Sequence, residues 1–165
     1  MKKVLFTVPI IFLLSAINPF LAQATFPGES IVFGNRDQSN EQSDEALIKI
    51  FNLATKKDYQ QALTLIEQRL QSTPRIATLH VMKGLVLNEI GEYLHANRAL
   101  NTGLSIEARH PGIQYGFCGI YRNLGMSDLS LQACRVAEEM HRLSPEAHYE
   151  YAQTLIATGE MKLAN

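Results

Sequence analysis

A pattern that returns every 34 residues constrains this chain more than any other feature. Its clearest copy is Gly91-Glu92-Tyr93-Leu94-His95-Ala96, a tight turn opening a helix. One interval back, Tyr59 and Ala62 stand under Tyr93 and Ala96; one and two intervals forward, Gly125 and Gly159 stand under Gly91. Self-similarity at a fixed interval of this length is the mark of an architecture built from one repeated supersecondary unit.

The apolar residues between these turns recur with the helical period. Leu47, Ile50, Phe51 and Ala54 share one face, and after a break at Lys56-Lys57-Asp58 so do Ala62, Leu63, Ile66 and Leu70. The pattern predicts helical hairpins over 43–76, 77–110 and 111–144, with a partial one over 145–165. Ser72-Thr73-Pro74 reads as a capping hydroxyl followed by a proline in the first turn of the next helix, where its missing N–H costs nothing. Where paired helices cross closely, facing side chains must be small. Ile50, Gly84, Cys118 and Ala152 form one such column, small at three of its four places, facing Ala62, Ala96, Ser130 and Ala164, small at all four. Larger residues fill the columns beside them: Leu53, Leu87, Tyr121 and Leu155, and Ile66, Leu100 and Cys134. A lone hairpin leaves apolar sides uncovered, so each must stack on the next.

Gly84, Leu87, Gly91, Tyr93, Ala96 and Leu100, with the in-register residues of the other hairpins, resemble the tetratricopeptide repeat (TPR) family over 43–165. The resemblance implies an all-α fold, antiparallel helical hairpins stacked as a right-handed TPR solenoid of about three and a half repeats. Its concave groove, lined mainly by the first helix of each hairpin, would bind extended or helical segments of other proteins. Two departures stand out. Ala46, His80, Gln114 and His148 occupy the place where the family often carries tryptophan, and the terminal proline is clear only at Pro74.

Carried onto this chain, the groove columns are Leu47, Val81, Tyr115 and Tyr149; Phe51, Leu85, Gly119 and Gln153; and Ala54, Asn88, Arg122 and Ile156. The two tyrosines beside Gly116 and Gly119 suggest a shallow aromatic pocket in the third and fourth units. Asn88, Arg122 and Asn123 are placed to hydrogen-bond a peptide backbone or carboxylate there. The partner-binding candidates are thus Val81, Leu85, Asn88, Tyr115, Arg122, Asn123, Tyr149 and Gln153; the alternative is that some of these columns are core between hairpins. Chaperone-tail clamps of the family carry lysine and asparagine in the first two columns, which here are apolar or aromatic, so that role is disfavoured.

Residues 1–24 differ from the rest. Lys2 and Lys3 precede the apolar run Val4 to Leu14, and the segment ends in Ala22-Gln23-Ala24. That order predicts a cleaved secretory signal, cut before Thr25. An uncleaved anchor is the alternative, since a bilayer needs about 20 apolar residues, though Asn18 and Pro19 interrupt the stretch. Cleavage takes the basic residues from 15 to 13 against 16 acidic ones. So mild a balance offers no footprint for nucleic acid. Export, with no cysteine near the cleavage region and no glycosylation acceptor, points to the periplasm or outer-membrane surface of a Gram-negative bacterium. Residues 25–43 read as a flexible linker in which Ser30 to Phe33 is apolar enough to dock, as an extended segment, against the repeats.

Cys118 and Cys134 are the two cysteines, on the two helices of one predicted hairpin. They are placed for one disulfide in an oxidising compartment, or for two buried thiols. The five histidines lack ligand spacing: His80 and His148 lie two hairpins apart, and Cys134 and His141 are separated by about 10 Å of helix. No phosphate loop, nucleophile elbow or H-E-x-x-H motif occurs. No catalytic residue, cofactor or metal is expected. The expected role is a non-enzymatic protein-binding scaffold, and the resemblance extends to repeat proteins of pilus or secretion-machine assembly, including the tight-adherence pilus type. Two alternatives stand beside it: the N-terminal part of a longer protein with a catalytic domain beyond Asn165, or an array that self-associates through its incomplete last hairpin.

Overall fold

The structure is a computed structural model and describes residues 26–27, 31–32, 45–140 and 145–159. Among the described residues from Glu45 onward seven helices follow one another, and no strand occurs among the described residues: α1 Glu45–Thr55, α2 Tyr59–Ser72, α3 Ala77–Glu89, α4 Tyr93–Ile106, α5 Pro111–Asn123, α6 Ser127–Met140 and α7 Pro145–Thr158. Every helix packs on its neighbours in sequence, and α3 also touches α1 and α5, as α5 touches α7. The burial pattern follows from that arrangement. α3 hides Ala77, Leu79, Val81, Met82, Leu85 and Val86 on several sides, whereas α4 buries the single stripe Ala96, Ala99, Leu100 and Gly103 and α6 the stripe Ser130, Ala133, Cys134 and Ala137. Spacings of three and four residues put each stripe on one helical face. Helices α4 and α6 therefore cover, and α3 and α5, which bury residues on several sides, are covered.

The 34-residue recurrence has a backbone cause. Lys57, Gly91, Gly125 and Gly159 occupy equivalent positions, and all four have left-handed φ, from 64° at Lys57 to 84° at Gly91. At the second turn Glu92 N donates to Leu87 O at 2.9 Å and Gly91 N to Asn88 O at 3.1 Å. Asp58 and Met126 make the corresponding bonds to Leu53 O and Tyr121 O. These paired bonds satisfy the last carbonyls of a helix only if the residue after the cap adopts the left-handed region, which glycine enters without steric cost. Lys57 is held there against its preference. Lys57→Gly should therefore raise stability by about 0.5–1 kcal/mol, because ~1–2 kcal/mol of left-handed strain is relieved against a smaller entropic cost. The urea midpoint reads this directly, and an unchanged or lowered midpoint would mean that the Lys57 side chain holds the turn.

Helix α3 departs from expectation at its start. It begins at Ala77 with Ile76 as its N-cap, so Pro74 lies ahead of the helix and not in its first turn. The Thr73 hydroxyl instead donates to Arg69 O at 2.9 Å, closing the end of α2. At α5 the cap comes from His110, a fully buried side chain. Its Nδ1 accepts from Gly112 N at 3.2 Å, which leaves the other ring nitrogen to donate to Thr78 Oγ1, also at 3.2 Å.

Parts of the stretch expected to be a flexible linker are tied into the core. Ile31 and Val32 are helical, not extended, and fully buried, and Phe26 meets Phe51 edge-on at 5.9 Å between ring centroids. Ile31 O lies so near Gly112 that a β-carbon there would stand 2.9 Å from it. Ala152, expected to be a small buried contact like Gly84 and Cys118, is exposed; its facing residue, Ala164, lies outside the described residues, as does the expected signal segment. No helix among the described residues is long and apolar enough to cross a membrane.

Candidate functional site

A cleft with a volume of ≈ 330 Å³ opens where α3, α5 and α7 lie side by side. Leu85 and Asn88 come from α3, Tyr115, Arg122 and Asn123 from α5, and Tyr149 and Gln153 from α7. Positions one repeat apart face the same hollow because the first helices of successive hairpins are neighbours. Tyr93, at the start of α4, and the buried Pro27 complete the walls. Gly116 and Gly119 also line the cleft; the bareness of Gly116 makes room for Leu100 beneath, and that of Gly119 faces cleft residues. A β-carbon on Gly119 would approach Asn88 Nδ2 at 3.4 Å and Glu150 Oε2 at 4.0 Å.

Val81 does not join this group. It is fully buried and packs against Gly112, beneath the segment containing Ile31, so the column expected to line the groove turns into core at this level. Phe51 likewise is partly covered by Phe26.

The polar side chains expected to hold a peptide backbone or carboxylate are engaged with one another. Arg122 forms an ion pair with Glu150 of α7, both of them well shielded from solvent. Asn123 Nδ2 donates to Asn88 Oδ1 at 3.0 Å. A guanidinium already bound to a carboxylate has less charge to offer a second, while its other N–H groups keep donors for a backbone carbonyl. Glu89 and Glu150, which sequence reasoning did not place at the site, bring two carboxylates to the walls against the one guanidinium. The spacing of Leu85 and Glu89 on one face of α3 was the available signal for Glu89. Nothing in the repeat interval marks Glu150 as the partner of Arg122.

Glu89 receives the Tyr59 hydroxyl at 3.5 Å, the outer limit of a hydrogen bond. The cleft walls strip part of its water and the Glu150 carboxylate repels its charge, pushing its acid dissociation above the usual range; Tyr59, Lys57 and Arg122 pull more weakly the other way. A carboxyl group with a raised folded-state value binds more protons folded than unfolded, so stability falls as pH rises from 4.5 through that folded value. Glu89→Gln should flatten this part of the stability profile and leave the remainder in place. Urea titrations between pH 4 and pH 8 measure it, and an unchanged slope would contradict the assignment.

Cys118 and Cys134 are joined by a disulfide that links α5 to α6, with Cα atoms 4.8 Å apart. It lies behind the cleft. Ser130 donates to Cys118 O at 3.0 Å, and the Thr154 hydroxyl of α7 lies 3.1 Å from Cys134 Sγ. Thr154 follows Gln153, so the same contact that seats α7 on the disulfide sets the position of the cleft wall.

No group of three or more metal-ligating side chains is assembled among the described residues. No protein-family model matches the chain, and no curated protein matches it.

Proposed function

We propose that this chain is a non-enzymatic interaction scaffold of repeated helical hairpins, and that it binds a segment of a partner protein in the cleft between α3, α5 and α7. The convergence of Leu85, Tyr115, Tyr149 and Gln153 from three successive units carries this reading. Tyrosines give a large contact area at low entropic cost and retain a hydroxyl for hydrogen bonding, the composition typical of interface cores. The site sits on helices seated by core contacts, so it is formed in advance of binding.

Export to the periplasm, with removal of residues 1–24, belongs to the same proposal. The Cys118–Cys134 disulfide supports it, since such bonds persist mainly in oxidising compartments.

Gly119→Leu provides the test. The new side chain enters the cleft, where its β-carbon would stand 3.4 Å from Asn88 Nδ2 and 4.0 Å from Glu150 Oε2. Peptides selected on the full chain from a random display library should lose at least ten-fold in affinity for Gly119→Leu and for Tyr115→Ala, with helical content by circular dichroism unchanged. Selected peptides that bind both variants as well as the parent would place the interaction elsewhere and refute the proposal.

A further inference from the structure

Resting on that reading of the cleft, we propose that its occupant presents a cationic side chain, the ammonium of a lysine or the guanidinium of an arginine, to Glu89 in this tyrosine-lined cleft.

Three observations converge. The first is the charge inventory: Glu89, Glu150 and Arg122 line the cleft, Arg122 is paired with Glu150, and Glu89 feels Lys57 and Arg122 only as weaker attractions, so the lining carries one more carboxylate than guanidinium. The second is acceptor capacity. A carboxylate offers about four lone-pair sites, and among the described residues Glu89 is met by the Tyr59 hydroxyl alone, at 3.5 Å. The third is the walls. Tyr93, Tyr115 and Tyr149, from three helices, line the same cleft as that carboxylate, and an aromatic face attracts a cation within about 6 Å of its centroid. A cleft lined by a surplus carboxylate and aromatic rings disfavours an acidic segment, and an apolar one would take water from that carboxylate without pairing it. A cation satisfies both features at once.

The remaining polar groups set direction. Asn88 and Asn123, both lining the cleft, bond each other, and each keeps further donors or acceptors for a passing backbone. Pro27 also lines the cleft.

N-acetyl-lysine methylamide, its arginine counterpart and the near-isosteric norleucine and glutamate compounds are the probes, titrated into the full isotope-labelled chain and followed by NMR. The expected result is that the lysine and arginine compounds shift resonances of Glu89, Tyr115 and Tyr149 with at least ten-fold higher affinity than norleucine. The glutamate compound should give no shift. Glu89→Gln should abolish the preference for lysine over norleucine while Tyr115→Phe, which retains the aromatic face, preserves it. Equal binding of lysine and norleucine, or a lysine preference that survives Glu89→Gln, would overturn the inference. The scaffold reading fails separately: display peptides that depend on an open cleft at Gly119 but show no enrichment in lysine or arginine would leave it standing and remove the cation.

Discussion

Replacing Leu100 with alanine lowers the stability of the chain by about 4 kcal/mol, in the upper part of the range for buried leucine truncations. The reason is the company Leu100 keeps. It is fully buried in α4, and its branched end fills the space left by two glycines of successive hairpins. A β-carbon on Gly84 would stand 2.7 Å from Leu100 Cδ2, and one on Gly116 would stand 2.6 Å from Leu100 Cδ1. With leucine gone, neither glycine has a side chain to move into the void, and helices joined by short turns collapse poorly around it. The same geometry predicts a reversal of sign. Gly116→Ala in the parent should cost about 1–3 kcal/mol through overpacking. In the Leu100→Ala background it should recover part of the loss, a coupling of about 1 kcal/mol or more between touching sites. Urea unfolding of the two single variants and the double variant completes the cycle, and strictly additive effects would contradict the interlock.

Loss of the disulfide is the second large effect. Cys118 and Cys134 are separated by 16 residues, and closing a loop of that size is worth about 3 kcal/mol. The Cys118→Ala/Cys134→Ala variant should melt on the order of 10 °C lower, given the usual few degrees per kcal/mol for a chain of this size. Its consequence reaches the cleft, because the Thr154 hydroxyl rests on Cys134 Sγ and carries α7 with it. Amides of α7 should exchange with solvent faster on reduction than those of α3, which contacts neighbours on several sides. Uniform acceleration across all helices would separate the disulfide from the position of α7.

The helices and their turns were legible because each rests on a local rule that the sequence must satisfy. Glycine at 91, 125 and 159 answers a left-handed backbone position, and the small residues Ala62, Ala96 and Ser130 answer a close crossing. Lys57 shows the limit of such a rule, since the turn forms there without glycine. Most of the cleft was legible for a related reason: positions one repeat apart in first helices face one way. What could not be read were pairings between units. Arg122 meets Glu150 and Asn123 meets Asn88 across neighbouring hairpins, and periodicity says which positions are equivalent but not which charge finds which. Val81 was misplaced because the groove at its level is covered by a non-repeating segment, Ile31 and Val32, whose docking no repeat predicts. His110 escaped notice as a cap because its equivalent in the preceding unit, Ile76, makes no side-chain cap at all.

The most direct test of the cleft as the binding surface places a photo-crosslinking side chain at Gln153, inside it, and separately at Leu94, which is 70% exposed on the outer layer. Each variant is irradiated with a display-selected peptide. Adducts at position 153 with none at position 94 are the predicted result. Adducts at position 94 in equal or greater yield would contradict the account.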